Sequence, residues 1–260
     1  MLTPKKQQLL LDRLKAYQKR FLSGSIPDDL DESGTRIMIN HFLTDVLGYT
    51  ALEEVRTEYM IKGTYADYMV QLEGKRYFLV EVKAFSINLN EGHLRQAVNY
   101  GANEGVEWAV LTNGRQVDCY RILFEKPIRH QQVFSINLSQ AQGLKAATEF
   151  LQYLTRDGII RGSLEYLWNK SLALTPASMA KILLCSDMIS LVRKRVNNSF
   201  ETRFTDEQIQ HAVYRIITEK LDLQDFRMPR LTKKEKPVRR MQSQGSEIVS
   251  ESSVITIRPD

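Results

Sequence analysis

The chain has 260 residues, 43% of them hydrophobic and 26% charged, a composition typical of an ordinary water-soluble protein with a sizeable core. Its net charge is +5, but residues 227–240 alone contribute +6, so the rest sums to −1 and gives little support for nucleic-acid binding by the folded part. No apolar run approaches the roughly 20 residues of a membrane-spanning helix, and two distant cysteines indicate neither a zinc site nor a disulfide framework. We expect a cytoplasmic protein with no membrane partner.

Four regions are predicted along the chain. Residues 1–27 hold an amphipathic helix, and residues 28–137 mix helical and strand patterns, as expected of an α/β (α+β) core with a central sheet. Residues 138–225 carry helical patterns, and residues 226–260 form a basic, serine-rich tail without apolar periodicity. We expect the tail to be disordered, because it lacks the apolar surface that would offset the entropy lost on folding.

The first helix of the core is predicted to start near Asp28 or Asp29, either of which suits an N-cap, and to end at Gly48. Glu32 lies in its first turns, off the apolar stripe. Gly34 beside it indicates a close approach, since a glycine inside a helix costs about 1 kcal/mol relative to alanine.

The remaining predicted elements follow from alternation and from helical periodicity. Strands are predicted at residues 55–61, 66–72, 75–83, 107–112 and 115–122, with a short edge strand at 133–136. The pair Asn113-Gly114 predicts a hairpin between the fourth and fifth strands. Helices are predicted at residues 5–22, 90–101, 140–154, 164–168, 177–196 and 206–221.

The strand at residues 75–83 is an apolar run that ends in two opposite charges. Alternation places Leu79, Glu81 and Lys83 on one face of the strand. A carboxylate and an ammonium group at the end of a dry strand are costly unless they are paired or bound to an ion. We therefore interpret them as functional; a solvated pair on an edge strand is the alternative, which the long apolar run disfavours.

Asp67, on the preceding strand, joins these charges only in one register of the hairpin. A two-residue turn would place Asp67 opposite Val80, on the wrong face. A three-residue loop over residues 72–74 would place Asp67 opposite Leu79 and diagonal to Glu81, on the same face. We predict the three-residue loop.

Two carboxylates held this close repel each other unless a cation lies between them. A hard divalent ion with oxygen ligands, most simply Mg²⁺, would compensate both charges. The same ion would supply what phosphodiester hydrolysis requires, because it lowers the pKa of a bound water and neutralises charge on the phosphate. Lys83 would orient or activate the water and offset the developing charge. Glu32 would supply a further ligand from the helix, although a carboxylate in a first turn also suits the helix dipole.

Six short motifs occur in a consistent order between about residues 31 and 122. They are Glu32-x-x-x-Arg36, Leu47-Gly48-Tyr49, Ala66-Asp67-Tyr68, Leu79-Val80-Glu81-Val82-Lys83, Gln96-Ala97-Val98-Asn99-Tyr100 and Leu111-Thr112-Asn113-Gly114. In this order the set resembles the PD-(D/E)xK nuclease superfamily. Within it, the chain is most similar to the N-terminal nuclease domain of type I restriction enzyme R subunits and to predicted type IV restriction endonucleases.

The resemblance implies a restriction-endonuclease-like fold and a role for each matching residue. Asp67, Glu81, the carbonyl of Val82 and Glu32 would surround the metal, with Lys83 as the catalytic lysine. Gln96 and Tyr100 match a QxxxY motif whose residues would lie near that lysine or contact the DNA backbone. Without the resemblance, a surface glutamine and a core tyrosine is the simpler interpretation.

Two features depart from the family pattern. Ala66 replaces the proline that gives the superfamily its name. We do not expect the ATP-driven motor of type I subunits or DNA translocation in this chain, because it has no GxxxxGK[ST] loop.

The sequence thus predicts an endonuclease that cleaves DNA in a restriction or defence system with Mg²⁺, for which Mn²⁺ would substitute. DNA and other restriction subunits are the expected partners, and a homodimer is compatible with this prediction. Two alternatives remain open. One is a catalytically silent DNA-binding or assembly module with the same fold, and the other is an RNA or structure-specific nuclease that uses the same site.

Overall fold

The computed structural model describes residues 1–24, 30–50, 52–61 and 64–219. The chain divides into two compact units, Met1–Leu174 and Thr175–Asp260, and of the second only residues 175–219 are described. The predicted tail and the predicted N-caps Asp28 and Asp29 lie outside the described residues. The four predicted regions stay a prediction.

A six-stranded mixed sheet forms the centre of the first unit and confirms the predicted fold class. Its strands lie in sequence order, and every neighbouring pair is antiparallel except β3 and β4, which are parallel. The strands are β1 Val55–Ile61, β2 Thr64–Leu72, β3 Lys75–Val82, β4 Trp108–Thr112, β5 Gln116–Leu123 and β6 Arg129–Asn137.

Helices flank this sheet in the first unit and make up the described part of the second. The first unit contains α1 Pro4–Phe21, α2 Glu32–His41, a π-helical turn at Phe42–Val46, α3 Glu91–Glu104, a 3₁₀ turn at Ala141–Gly143, α4 Leu144–Leu151, α5 Arg156–Ile160 and α6 Ser163–Ala173. The second contains α7 Pro176–Leu183, α8 Ser186–Phe200 and α9 Asp206–Thr218. No helix in the described ranges is long and apolar enough to cross a membrane.

Helix α2 begins later than predicted. Asp31 is its N-cap, because the Asp31 carboxylate accepts a hydrogen bond from the Gly34 N–H at 2.7 Å. The close approach expected at Gly34 is present, since a Cβ there would lie 2.3 Å from the Leu30 Cδ1. Glu32 is therefore the first residue of the helix, where its charge also complements the helix dipole.

Strand β3 is buried on both faces, as its apolar run indicates. Phe78, Val80 and Val82 belong to the large core that includes residues of α1, α2 and α4. Leu79 lies on the other face and packs with Tyr100 of α3. The alternation along the strand confirms the predicted assignment of faces.

The predicted three-residue loop between β2 and β3 is wrong. Leu72 pairs with Lys75, which leaves a two-residue turn of Glu73 and Gly74. Both turn residues have positive φ, 49° and 77°, as a type I′ turn requires. A two-residue turn matches the right-handed twist of the flanking strands, and this favours it over the longer loop.

A β-bulge nevertheless returns Asp67 to the predicted face. Val70 pairs with Phe78, whereas Gln71 pairs with Arg76, so Tyr77 is an extra residue on β3. Beyond the bulge Tyr68 pairs with Val80, and the same register places Asp67 opposite Glu81. Asp67 and Glu81 therefore share a face, as predicted. The predicted loop is wrong, and so is the prediction that Asp67 lies opposite Leu79.

The second predicted hairpin is present with a longer loop than Asn113-Gly114 alone would make. Thr112 pairs with Val117, so four residues lie between the last paired residues of the hairpin, and the fourth of them, Gln116, already belongs to β5. The Asn113 side chain accepts hydrogen bonds from the backbone N–H groups of Arg115 and Gln116, which stabilises the loop. Gly114 has a φ of 84°, a conformation that favours glycine.

The helical predictions differ from the structure mainly in their boundaries. The predicted helix at 177–196 is two helices, which meet at Leu184 and Cys185. The helix predicted at 140–154 ends as α4 at Leu151, and the one predicted at 164–168 extends over Ser163–Ala173. The edge strand predicted at 133–136 is the nine-residue β6.

Candidate active site

A cavity of about 350 Å³ lies where α2, α3 and strands β2 and β3 meet. It brings together side chains that are far apart in the sequence, and most of them are charged. Its lining consists of Glu32, Arg36, Ala66, Asp67, Glu81, Lys83 and Gln96. Five of the residues predicted from sequence to form the site, Glu32, Asp67, Glu81, Lys83 and Gln96, therefore face one space.

Asp67 is buried, and each of its two carboxylate oxygens has a partner. Its Oδ2 accepts the backbone N–H of Val82 at 2.7 Å, and its Oδ1 lies 2.8 Å from the Arg36 Nη2. Burial raises the pKa of the Asp67 carboxyl above its ordinary value, and the Val82 N–H and the Arg36 charge partly oppose this. The structure brings Val82 into the site through this N–H; a role for its carbonyl stays a prediction.

Glu81 is 2% exposed and has only one of its two oxygens satisfied. Its Oε1 accepts a hydrogen bond from the Lys83 Nζ at 2.6 Å. Its Oε2 is buried and makes no hydrogen bond. Burial raises the pKa of Glu81 to about 7, against the opposing effect of Lys83. A buried carboxylate oxygen without a partner is unusual and calls for an explanation such as a bound ion.

Lys83 follows directly after β3 and faces the two acids. Its backbone N–H donates to the Thr112 carbonyl at 2.9 Å, which fixes the chain beside β4. Its Nζ lies 2.6 Å from the Glu81 carboxylate and 3.8 Å from the Glu32 carboxylate. Burial disfavours the ammonium form, but the hydrogen bond to Glu81 and the nearby acids outweigh it and raise the pKa of Lys83.

Arg36 is a site residue to which the sequence assigned no role. Its Nη2 lies 2.8 Å from the Asp67 carboxylate and 3.3 Å from the Glu32 carboxylate. The backbone at Arg36 is held by the Tyr68 hydroxyl, which donates to the Arg36 carbonyl at 2.9 Å. The spacing of four residues on a helix is the signal that indicates the pair of Arg36 with Glu32.

Gln96 and Tyr100 form a pair on one face of α3. The Gln96 Nε2 donates to the Tyr100 hydroxyl at 2.6 Å. Tyr100 is buried against Leu79, whereas Gln96 lines the cavity. The buried tyrosine thus holds the glutamine amide at the edge of the site.

The site fits a hard divalent cation through two carboxylates. In the described ranges no three His, Cys, Asp or Glu side chains are grouped as ligands for a metal ion. Mg²⁺, however, commonly takes one or two protein carboxylates and keeps several waters. Asp67 and Glu81 stand opposite each other across the hairpin, and the unpartnered Oε2 of Glu81 is an oxygen ready for such an ion.

Comparison with known proteins identifies a family that resembles part of the chain. No curated protein and no solved structure matches the chain. Residues 31–134 match the family model described as type I restriction enzyme R protein N terminus (HSDR_N). This range includes β1 to β5 and every residue of the cavity, so the part of the chain that carries the candidate site is similar to the N-terminal domain of type I restriction enzyme R proteins.

Proposed function

We propose that this chain is a nuclease of a restriction system that hydrolyses DNA phosphodiester bonds with a divalent cation, Mg²⁺ by preference and Mn²⁺ as a substitute. The observation that carries the proposal is the buried, unpartnered Oε2 of Glu81, opposite Asp67 and beside Lys83. The family match supports a restriction-system role, with DNA and other subunits of that system as partners.

Asp67 and Glu81 would hold the cation, and Glu32 and the carbonyl of Val82 would complete the protein ligands. When bound, the cation lowers the pKa of a water and neutralises charge on the phosphate. The buried strands β2 and β3 fix both acids before the substrate arrives, which is the preorganisation that this chemistry needs.

The other side chains would act on the water and the phosphate. The site raises the pKa of Lys83 and so does not remove the proton that a lysine carries at neutral pH; its ammonium group would donate hydrogen bonds and offset negative charge that develops in the transition state. Gln96, fixed by Tyr100, presents a neutral amide at the cavity edge, where it would orient the water or contact the DNA backbone.

The catalytically silent module is the second candidate, and one observation favours it. Each buried acid already has a cation of its own, since Arg36 pairs with Asp67 and Lys83 pairs with Glu81. A site neutralised in this way would be stable without a metal. The nuclease should cleave DNA in a way that depends on the metal and on Lys83, whereas the silent module should not cleave DNA.

The test is plasmid nicking by the full chain with Mg²⁺, with Mn²⁺ and with EDTA. We expect the wild type to nick DNA only with a divalent cation, and Lys83→Ala to lose at least about 100-fold in rate, the usual effect of removing one transition-state donor. Lys75→Ala is the matched control, because Lys75 is an exposed lysine at the opposite end of β3. It should cleave like the wild type.

Equal nicking by the wild type and Lys83→Ala would refute the proposal. Salt-sensitive DNA binding without metal-dependent cleavage would favour the silent module instead. A parallel assay on single-stranded RNA separates a DNA nuclease from the RNA-cleaving alternative.

A further inference from the structure

Arg36 reaches the cavity from one turn beyond Glu32 on α2. Its guanidinium bridges Glu32 and Asp67 through Nη2, at 3.3 Å and 2.8 Å respectively. The Arg36 side chain is 33% exposed, whereas that of Asp67 is 8% exposed. A partly solvated cation is therefore paired with a buried acid.

The two central acids differ in what they offer to an ion. Asp67 has partners on both oxygens, Arg36 on Oδ1 and the Val82 N–H on Oδ2. Glu81 has a partner on Oε1 only. Glu81 is thus open to a divalent cation, whereas Asp67 can contribute fully only if the Arg36 guanidinium withdraws, because two cations on one carboxylate repel each other at short range.

The pairing has a structural reason. Two carboxylates in a buried site destabilise the fold unless each charge is compensated. Arg36 and Lys83 provide one cation for each acid. The Tyr68 hydroxyl holds the α2 backbone through the Arg36 carbonyl, so a movement of the arginine side chain leaves the helix in place.

We propose that Arg36 is a resident counter-cation of Asp67, which stabilises the site without metal, competes with the divalent cation and is displaced when that cation binds. The proposal rests on the proposed function, since it requires a metal between Asp67 and Glu81. Arg36 is then a positioning residue that sets how much divalent cation the site needs.

The test is direct binding of Mn²⁺ to the full chain, measured by titration calorimetry at about pH 8, where the acids bind metal in their ionised form. Arg36→Gln should bind Mn²⁺ about tenfold more tightly than the wild type. This factor is expected if, in the wild type, Asp67 is free of Arg36 and able to bind metal about a tenth of the time. Its unfolding temperature in EDTA should be lower, and Mn²⁺ should restore it. Arg36→Lys, which keeps the charge without the planar fork, should have an intermediate affinity.

Arg156→Gln is the matched control. Arg156 is a partly exposed arginine paired at 2.8 Å with the mostly buried Glu54, and neither residue lines the cavity. This variant should lose stability without any change in Mn²⁺ affinity. Glu81→Gln, alone and combined with Arg36→Gln, reports whether the binding occurs at this site.

The outcomes separate the two proposals. If Mn²⁺ binding depends on Glu81 but Arg36→Gln binds as weakly as the wild type or more weakly, the role of Arg36 is overturned and the metal site stands. If no variant binds Mn²⁺ in a way that depends on Glu81, the proposed function fails and the role of Arg36 fails with it.

Discussion

The Asp67 carboxylate accepts the backbone N–H of Val82 at 2.7 Å, so an acid on β2 is tied to the strand that carries Glu81. With Tyr77 in the chain, this bond depends on the bulge, because a regular ladder from the same turn would place Asp67 opposite Val80. The bulge takes up the extra residue and so keeps the two acids aligned, since a shift of one residue turns every side chain to the other face of a sheet.

Deletion of Tyr77 tests this alignment. The two-residue turn would then lead into a regular ladder with the same pairs beyond it, so Asp67 stays opposite Glu81. We expect the deletion to cost about 1–3 kcal/mol in the free energy of unfolding, from the lost tyrosine packing and the strain of repacking, and to keep Mn²⁺ binding. Denaturant unfolding and Mn²⁺ titration measure the two effects; loss of Mn²⁺ binding in a folded variant would contradict the register.

The raised pKa of Glu81 predicts how stability without metal depends on pH. Its pKa is about 7 in the folded state and near 4.5 in an unfolded chain. The group therefore contributes stability that is fully present below its unfolded pKa and is lost as the pH rises through about 7. In EDTA, the unfolding temperatures of the wild type and of Glu81→Gln are compared between about pH 5 and pH 8. The unfolding temperature of the wild type should fall by roughly 5 °C more than that of Glu81→Gln.

Divalent cation should reverse this trend in the wild type alone. Metal binding requires the ionised acid, so stabilisation by Mg²⁺ should grow over the same pH range. Identical pH profiles for the wild type and Glu81→Gln in EDTA would show that Glu81 keeps an ordinary pKa.

The Gln96–Tyr100 pair predicts a graded loss of activity. Gln96→Ala should reduce the cleavage rate about 10- to 100-fold, the usual effect of removing a group that orients an active site. It should change the free energy of unfolding by less than about 0.5 kcal/mol, because Gln96 is exposed. Tyr100→Phe keeps the buried ring but removes the acceptor for the Gln96 amide. It should lose less activity than Gln96→Ala.

Asn99→Ala is a suitable control for this pair, because Asn99 is an exposed amide on α3 that does not line the cavity. It should cleave DNA at the wild-type rate. Full activity of Gln96→Ala would remove the glutamine from the proposed mechanism and leave it a surface residue.

A cluster around Arg121 in the first unit predicts a substitution that lowers stability and leaves the candidate active site unchanged. The buried Arg121 of β5 donates to Glu107 and to Glu165 at 2.7 Å each, and its guanidinium lies 5.0 Å and 5.6 Å from the rings of Trp108 and Trp168. Arg121→Lys keeps the charge but loses the fork and the stacking. We expect a loss of about 1–2 kcal/mol in the free energy of unfolding.

Tryptophan fluorescence reports on this cluster directly, because both indole rings contact the guanidinium. Arg129→Lys is the matched control: Arg129 is 65% exposed and pairs with Glu125 on the surface, so its loss should be below about 0.5 kcal/mol. Equal effects of the two substitutions would contradict the role of Arg121 in joining α6 to the sheet.

Much of the fold follows from local pattern. The apolar run before Glu81 identifies β3 as a buried strand, and period-two alternation assigns its faces correctly. Helix boundaries are less well determined, because a break such as the one at Leu184 and Cys185 has no strong local signal in a continuous helical pattern. The turn at Glu73 and Gly74 was mispredicted because a bulge depends on packing of both strands and leaves no mark in the sequence.

The sequence by itself determined which residue types are available for chemistry and which of them lie at the ends of buried strands, because periodicity and the cost of burying charge are local properties of the chain. The tertiary structure alone decided that Asp67 faces Glu81, that Glu81 keeps one oxygen without a partner, and that Arg36 pairs with Asp67. These relationships depend on strand register and on the packing of α2 against the sheet, and contacts between distant residues are fixed only when the whole unit folds.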